Sequence, residues 1–93
     1  MDNTGPNAVR DYLVAASSRG TLLILQPAEP PDIGWFLLRY SPAGAFQGDT
    51  WHETIEGAES QVASQFGDVS PPKWRKVTGR IAEAIVAARA STA

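Results

Sequence analysis

The chain has 93 residues, a net charge of −2 and no cysteine. A chain of this length supports one hydrophobic core, so we expect a single domain over residues 1–93, and the absence of cysteine excludes disulfides, thiolate metal sites and cysteine nucleophiles. No apolar run approaches the ~20 residues of a membrane span, and the N-terminus lacks the pattern of a signal peptide, which is typical of a cytoplasmic protein.

The first predicted element is a helix that ends near Gly20. Its apolar residues recur at i, i+3, i+4 and i+7, namely Val9, Tyr12, Leu13 and Ala16. A hairpin with its turn at residues 17–20 is the alternative. We disfavour the hairpin because residues 12–16 do not alternate between polar and apolar side chains.

The next apolar run, Thr21–Gln26, predicts a strand. Its four central residues, 22–25, are all apolar, so both sides of the strand should be buried. The proline-rich stretch 27–33 that follows is typical of a loop.

A β-hairpin follows, with strands Gly34–Ser41 and Ala45–Trp51. Its turn covers residues 41–44, where Pro42 fixes one φ angle and Gly44 can adopt a positive one. With the preceding strand, these elements form a three-stranded antiparallel meander.

Counting outward from this turn pairs Tyr40 with Phe46 and places Trp35 opposite Trp51. The same face should carry the remaining interaction candidates, which are Leu37, Arg39 and Asp49. Tryptophan and arginine are favoured at interface hot spots. This face is therefore covered either by a helix of the same chain or by a second copy, and the sequence leaves both possibilities open.

A helix is predicted to begin after an N-cap at Thr54 and to end at Gly67. We expect its apolar stripe to pack on the hairpin face of Phe36, Leu38, Tyr40 and Phe46; the stripe consists of Ile55, Ala58, Val62, Ala63 and Phe66.

The C-terminal part has two interpretations. Residues 71–91 can form one helix, or Trp74–Val77 can form a short extended piece before a separate helix that Thr78 caps. In both, residues 78–93 form a C-terminal helical extension. The predicted fold is α+β, in the order α-β-β-β-α-α, with helices packed on a three-stranded antiparallel sheet.

One polar cluster, formed by Asp49, His52 and Glu53, resembles a catalytic or metal site. In a continuing strand, Asp49 and His52 project from opposite faces, while Asp49 and Glu53 lie about 13 Å apart. These groups do not converge, and no motif of a known enzyme class is present. We therefore predict no catalytic, cofactor-binding or metal site.

A basic segment interleaves an aromatic side chain with cations, the composition that binds nucleic acid. Its members are Lys73, Trp74, Arg75, Lys76 and Arg80. Residues 1–67 carry a net charge of −5 and residues 68–93 carry +3. Because the whole chain is acidic, we favour a structural role in which Trp74 folds into the core.

Residues 34–77 resemble a group of small uncharacterised bacterial proteins. The likeness is carried by the run 34–40, the segment Gly48-Asp49-Thr50-Trp51-His52, a helix that ends in Phe66-Gly67, and Trp74. The resemblance implies a fold arrangement and no activity. A fainter similarity, Gly-Asp-Thr before a helix on a three-stranded sheet, is to HicB-type antitoxins.

The sequence thus predicts a non-enzymatic protein–protein interaction module that forms a homodimer and needs no cofactor. A nucleic-acid-associated, antitoxin-like regulator is the alternative, and it would use the basic segment.

Overall fold

The computed structural model describes residues 10–29, 33–68 and 70–92. Within these residues the chain forms five strands and two helices: β1 (Asp11–Ala16), β2 (Leu22–Pro27), β3 (Trp35–Tyr40), β4 (Phe46–His52), α1 (Ile55–Phe66), β5 (Arg75–Thr78) and α2 (Gly79–Thr92). The strands form one antiparallel sheet in the order β4-β3-β2-β1-β5. The α+β class is confirmed, and the predicted meander is the β2–β4 part of a larger sheet.

The predicted N-terminal helix is wrong from Asp11 onward, because this segment forms β1 and pairs with β2. The turn between the two strands is built around Ser17, whose Oγ accepts hydrogen bonds from the N–H groups of Arg19 and Thr21, both at 3.2 Å. Gly20 adopts a φ of +85°, which favours glycine. Val9, the first residue of the predicted helical stripe, lies outside the described residues.

One helix packs on each face of the sheet. α2 packs on the side of Tyr12, Val14, Leu22 and Ile24. α1 packs on the other side, against Leu23, Leu25 and Leu37. The central strand β2 is therefore buried on both sides, as its uninterrupted apolar run predicts. β1 also lies between the two helices, and a strand covered on both faces needs no alternation of polar and apolar residues. This explains why residues 12–16 lack the alternation expected of a hairpin strand.

The predicted ends of α1 are confirmed. Thr54 Oγ1 accepts a hydrogen bond from Gly57 N–H at 3.0 Å, and Gly67 adopts a φ of +71° while its N–H donates to Ala63 O. The face on which α1 packs was predicted wrongly, because the helix lies on the side of Leu37 and not on that of Phe36 and Leu38.

The C-terminal part follows the second of its two interpretations. β5 pairs with β1, and α2 begins directly after it at Gly79. Thr78 Oγ1 accepts a hydrogen bond from Ile81 N–H at 3.3 Å, as expected of a helix cap. A strand can form here because β1 presents an open edge, which an N-terminal helix would not have done.

Candidate functional site

The register of the hairpin differs by one residue from the predicted one. Tyr40 pairs with Phe46 as expected, but Arg39 pairs with Gly48 because Gln47 is an extra residue in β4, a β-bulge. Trp35 therefore lies opposite His52, and Trp51 lies opposite Phe36. The two tryptophans project from opposite faces, so the prediction that they lie side by side is wrong.

Three of the predicted interaction residues lie on the side of α1. Leu37 has no exposed surface, and Trp35 packs with it in the hydrophobic cluster under the helix. Arg39 Nη1 donates to Thr50 Oγ1 at 3.4 Å. The side of the sheet that carries Trp35 is thus covered by a helix of the same chain.

His52 lies on this side as well, with Nε2 at 2.8 Å from Thr50 Oγ1. Burial, and secondarily the charge of Arg39, lowers the pKa of His52. Asp49 and His52 project from opposite faces, as predicted, but Asp49 does not share the face of Leu37 and Arg39 on which it was expected. Glu53 is exposed. Within residues 10–29, 33–68 and 70–92, no group of three or more His, Asp or Glu side chains could hold a metal ion.

The other side of β3 and β4 carries an exposed group of aromatic side chains, which we call the aromatic face: Phe36, Tyr40, Phe46 and Trp51. Phe36, Trp51 and Phe46 are 37%, 49% and 57% exposed. The rings of Tyr40 and Phe46 pack edge to face with centroids 5.4 Å apart. The sequence interpretation missed Phe36 and Phe46, because it assigned them to the surface under α1.

Trp51 rests on the backbone of Gly34. A Cβ atom at Gly34 would lie 2.8 Å from Trp51 Cζ2 and 2.5 Å from His52 O, and Gly34 has a φ of +144°. A side chain at this position would displace the indole. Gly34 therefore holds Trp51 in place while half of its surface stays exposed.

A small cavity of about 120 Å³ separates the aromatic face from α2. It is lined by Tyr12, Tyr40, Leu38 and Glu83, among others. Burial and the carboxylate of Glu83 raise the pKa values of Tyr12 and Tyr40, so both hydroxyls remain protonated at neutral pH.

The basic segment does not form one surface. Trp74 packs in the cluster under α1, and its Nε1–H donates to Glu59 Oε2 at 2.9 Å, so its ring is not presented to a nucleic-acid base. Lys76 lies 4.0 Å from Asp11 on one side of β5, whereas Arg75 projects to the other side. Arg80 is exposed in the first turn of α2.

In the described part of the chain, no helix is long and apolar enough to cross a membrane. No protein-family model, curated protein or solved structure matches this chain. The function is therefore inferred from the geometry of the aromatic face and of the sheet edge beside it.

Proposed function

We propose that this protein is an interaction module that assembles as a homodimer, with the β4 strands of two copies pairing edge to edge. One observation carries the proposal: β4 is an outer strand of seven residues whose open edge borders the exposed aromatic face. Outer strands of monomeric proteins are commonly protected by lysine or proline. β4 contains neither, and its bulge near one end is its main protection.

The direction of the backbone groups identifies which residues can pair. Ser41 N–H donates to Ala45 O, so the odd-numbered residues of β3 direct their backbone groups toward β4. One of them, Leu37, pairs with Thr50, so the backbone groups of Thr50 point toward β3. The intervening residues, Asp49 and Trp51, consequently direct their N–H and C=O groups to the open edge.

A two-fold axis through Thr50 satisfies all of these groups. Asp49 of one copy then lies opposite Trp51 of the partner subunit, and the pair exchanges two hydrogen bonds on each side of the axis. A register centred on Asp49 would place two carboxylates directly opposite each other, which is unfavourable. The register through Thr50 therefore suits both the hydrogen bonds and the charges.

The aromatic face supplies apolar area beside this axis. From their exposed fractions, Phe36, Phe46 and Trp51 together present about 300 Å² per copy. A specific interface of standard size buries about 800 Å² per partner. The aromatic side chains thus supply the centre of an interface whose remaining area comes from the paired strands, and we expect micromolar affinity.

Sedimentation equilibrium on the full chain tests the proposal. Trp51→Lys should shift the wild-type dimer to a monomer, because it places a charge on the aromatic face beside the axis. Ile81→Lys is the matched control, since Ile81 is also 49% exposed but lies on α2. The control should remain dimeric. A wild-type monomer throughout the micromolar range contradicts the proposal, as does equal dissociation of both variants.

Amide hydrogen exchange of the unmodified chain tests the pairing along β4 without any variant. The amides of Asp49 and Trp51 should exchange more slowly as the protein concentration rises, because only the dimer protects them. Exchange at these two positions that does not change with concentration would exclude pairing along β4.

A further inference from the structure

A second cavity, of about 260 Å³, lies on the α2 side of the sheet near the β5 edge, away from β4. Three cationic side chains line it: Lys73, Arg75 and Arg89. The rest of its lining is apolar and consists of Val14, Ala15, Ala16, Leu22 and Ile85.

Among residues 10–29, 33–68 and 70–92, no carboxylate lines this cavity. Among the described residues, Arg10 forms an ion pair with Glu29 and Lys76 with Asp11. Lys73 and Arg75 belong to neither pair. Lys73 and Arg75 bring two positive charges to one small cavity, and a bound anion would offset their mutual repulsion.

The cavity lies where β5 ends beside β1. Arg75 pairs with Val14, which is the last pair between the two strands, while β1 continues to Ala16. Gly79 N–H donates to Arg10 O, so alternate residues of β1 direct their backbone groups toward β5. By this alternation the N–H of Ala16 points to the edge beyond β5 and adds a neutral donor beside the cations.

Arg89 is held in position at the wall of the cavity. Its Nη1 donates to Gly20 O at 2.9 Å and to Pro42 O at 3.4 Å, which ties α2 to two turns of the sheet. The third charge of the cavity is therefore fixed in place before any ligand arrives, and a fixed charge costs less entropy on binding than a mobile one.

We infer that this cavity binds a small molecule that carries a phosphate group. A guanidinium group such as that of Arg75 binds phosphate through two parallel hydrogen bonds. Lys73 and Arg75 together match the two negative charges of a phosphate dianion better than the single charge of a carboxylate. The apolar floor suits a small hydrophobic group attached to the phosphate. The volume falls below that of most drug-sized sites, which limits the ligand to a phosphate with a compact substituent.

NMR titration of the isotopically labelled full chain tests this inference at constant ionic strength. The probes are inorganic phosphate and phenyl phosphate, with benzoate as the carboxylate counterpart. We expect the amides of Ala16 and Arg75 to shift, and phenyl phosphate to bind more tightly than either inorganic phosphate or benzoate. An absence of shifts at these amides, or tighter binding of benzoate, overturns the inference.

The variant Lys73→Gln/Arg75→Gln should weaken the binding of phenyl phosphate about tenfold or more, because two charge-assisted hydrogen bonds are lost. Both side chains are exposed, so the fold should tolerate the change. Lys76→Gln/Arg80→Gln, which removes two exposed cations outside the cavity, is the matched control. Equal weakening in both variants contradicts a localised site.

Titration with a short DNA duplex distinguishes a small-molecule site from the nucleic-acid alternative. We expect the duplex to bind no more tightly than phenyl phosphate at physiological salt. Binding of the duplex that falls steeply with salt, without binding of phenyl phosphate, overturns the small-molecule site in favour of a surface that contacts the nucleic-acid backbone.

Discussion

His52 contacts Thr50 on its own strand, and Thr50 in turn contacts Arg39 on the neighbouring strand. Thr50 Oγ1 lies 2.8 Å from Nε2, and the same hydroxyl oxygen accepts a hydrogen bond from Arg39. A hydroxyl that accepts from arginine can donate its own hydrogen to the neutral imidazole. Burial, and secondarily the charge of Arg39, favours the uncharged ring, and this lowers the pKa of His52.

This lowered pKa predicts how stability depends on pH. The unfolded chain binds a proton at His52 near the ordinary pKa of 6.5, whereas the folded chain does so at lower pH. The free energy of unfolding should therefore fall as the pH decreases from about 6.5 through the pKa of the folded state, and this contribution is fully present above 6.5. Urea denaturation at a series of pH values measures it.

His52→Gln is the control for this prediction, because glutamine keeps a polar side chain but does not titrate. The variant should lack the pH-dependent step between about 6.5 and the pKa of the folded state. An identical pH dependence in the variant and the wild type would show that His52 does not contribute.

At the scale of elements, α2 is fixed to the sheet by a close contact with the β3–β4 turn. A Cβ atom at Gly44 would lie 2.8 Å from Ala90 N and 3.0 Å from Val86 O. Arg89 adds hydrogen bonds to the carbonyls of Gly20 and Pro42 in the same region. The end of α2 therefore packs directly on backbone, which a larger turn residue would prevent.

Gly44→Ala should destabilise the protein by two effects. Its φ of +87° costs about 1–2 kcal/mol for a residue with a Cβ, and the clash with α2 adds about 1–3 kcal/mol. Gly67→Ala is the matched control, since Gly67 has a φ of +71° but no atom within 4 Å of its Cβ position. Urea unfolding should show a larger loss for Gly44→Ala, and equal losses would contradict the close contact.

For the whole molecule, the sheet separates two hydrophobic clusters that share no side chain. Ile24 belongs to the cluster under α2, and Val62 belongs to the cluster under α1. Contacts within one cluster do not reach the other except through the backbone of the sheet. Core substitutions on the two sides should therefore act independently.

Ile24→Val should cost about 0.5–1.5 kcal/mol, and Val62→Ala about 1–3 kcal/mol. In the double variant, the losses should add to within about 0.5 kcal/mol in urea denaturation. Ile24→Val combined with Val86→Ala is the control, because both residues line the cavity under α2 and should couple. A larger departure from additivity across the sheet than within the cluster would contradict this separation.

Features encoded by neighbouring residues could be predicted from the sequence. The cap at Thr54 and the end at Gly67 depend on groups within one helical turn, and the two-sided burial of β2 follows from its unbroken apolar run. The Tyr40–Phe46 pair next to the turn was likewise predicted, because turn geometry acts over a few residues. The site next to these features was predicted only in part. Asp49 and Trp51 share a face as expected, but Trp35, Leu37 and Arg39, which were expected beside them, lie on the opposite face.

The sequence alone thus determined the ends of α1, the central strand and the hairpin turn, since these rest on local hydrogen bonds and local hydrophobicity. Only the tertiary structure decided that residues 11–16 form a strand. A strand that is buried on both faces has no polar alternation, and its apolar residues can also match the spacing of a helix. It also decided which side each tryptophan occupies. A single extra residue at Gln47 reverses the face of every later side chain in β4. The local sign of that bulge is Gly48, an isolated glycine within the strand that adopts a φ of +124°.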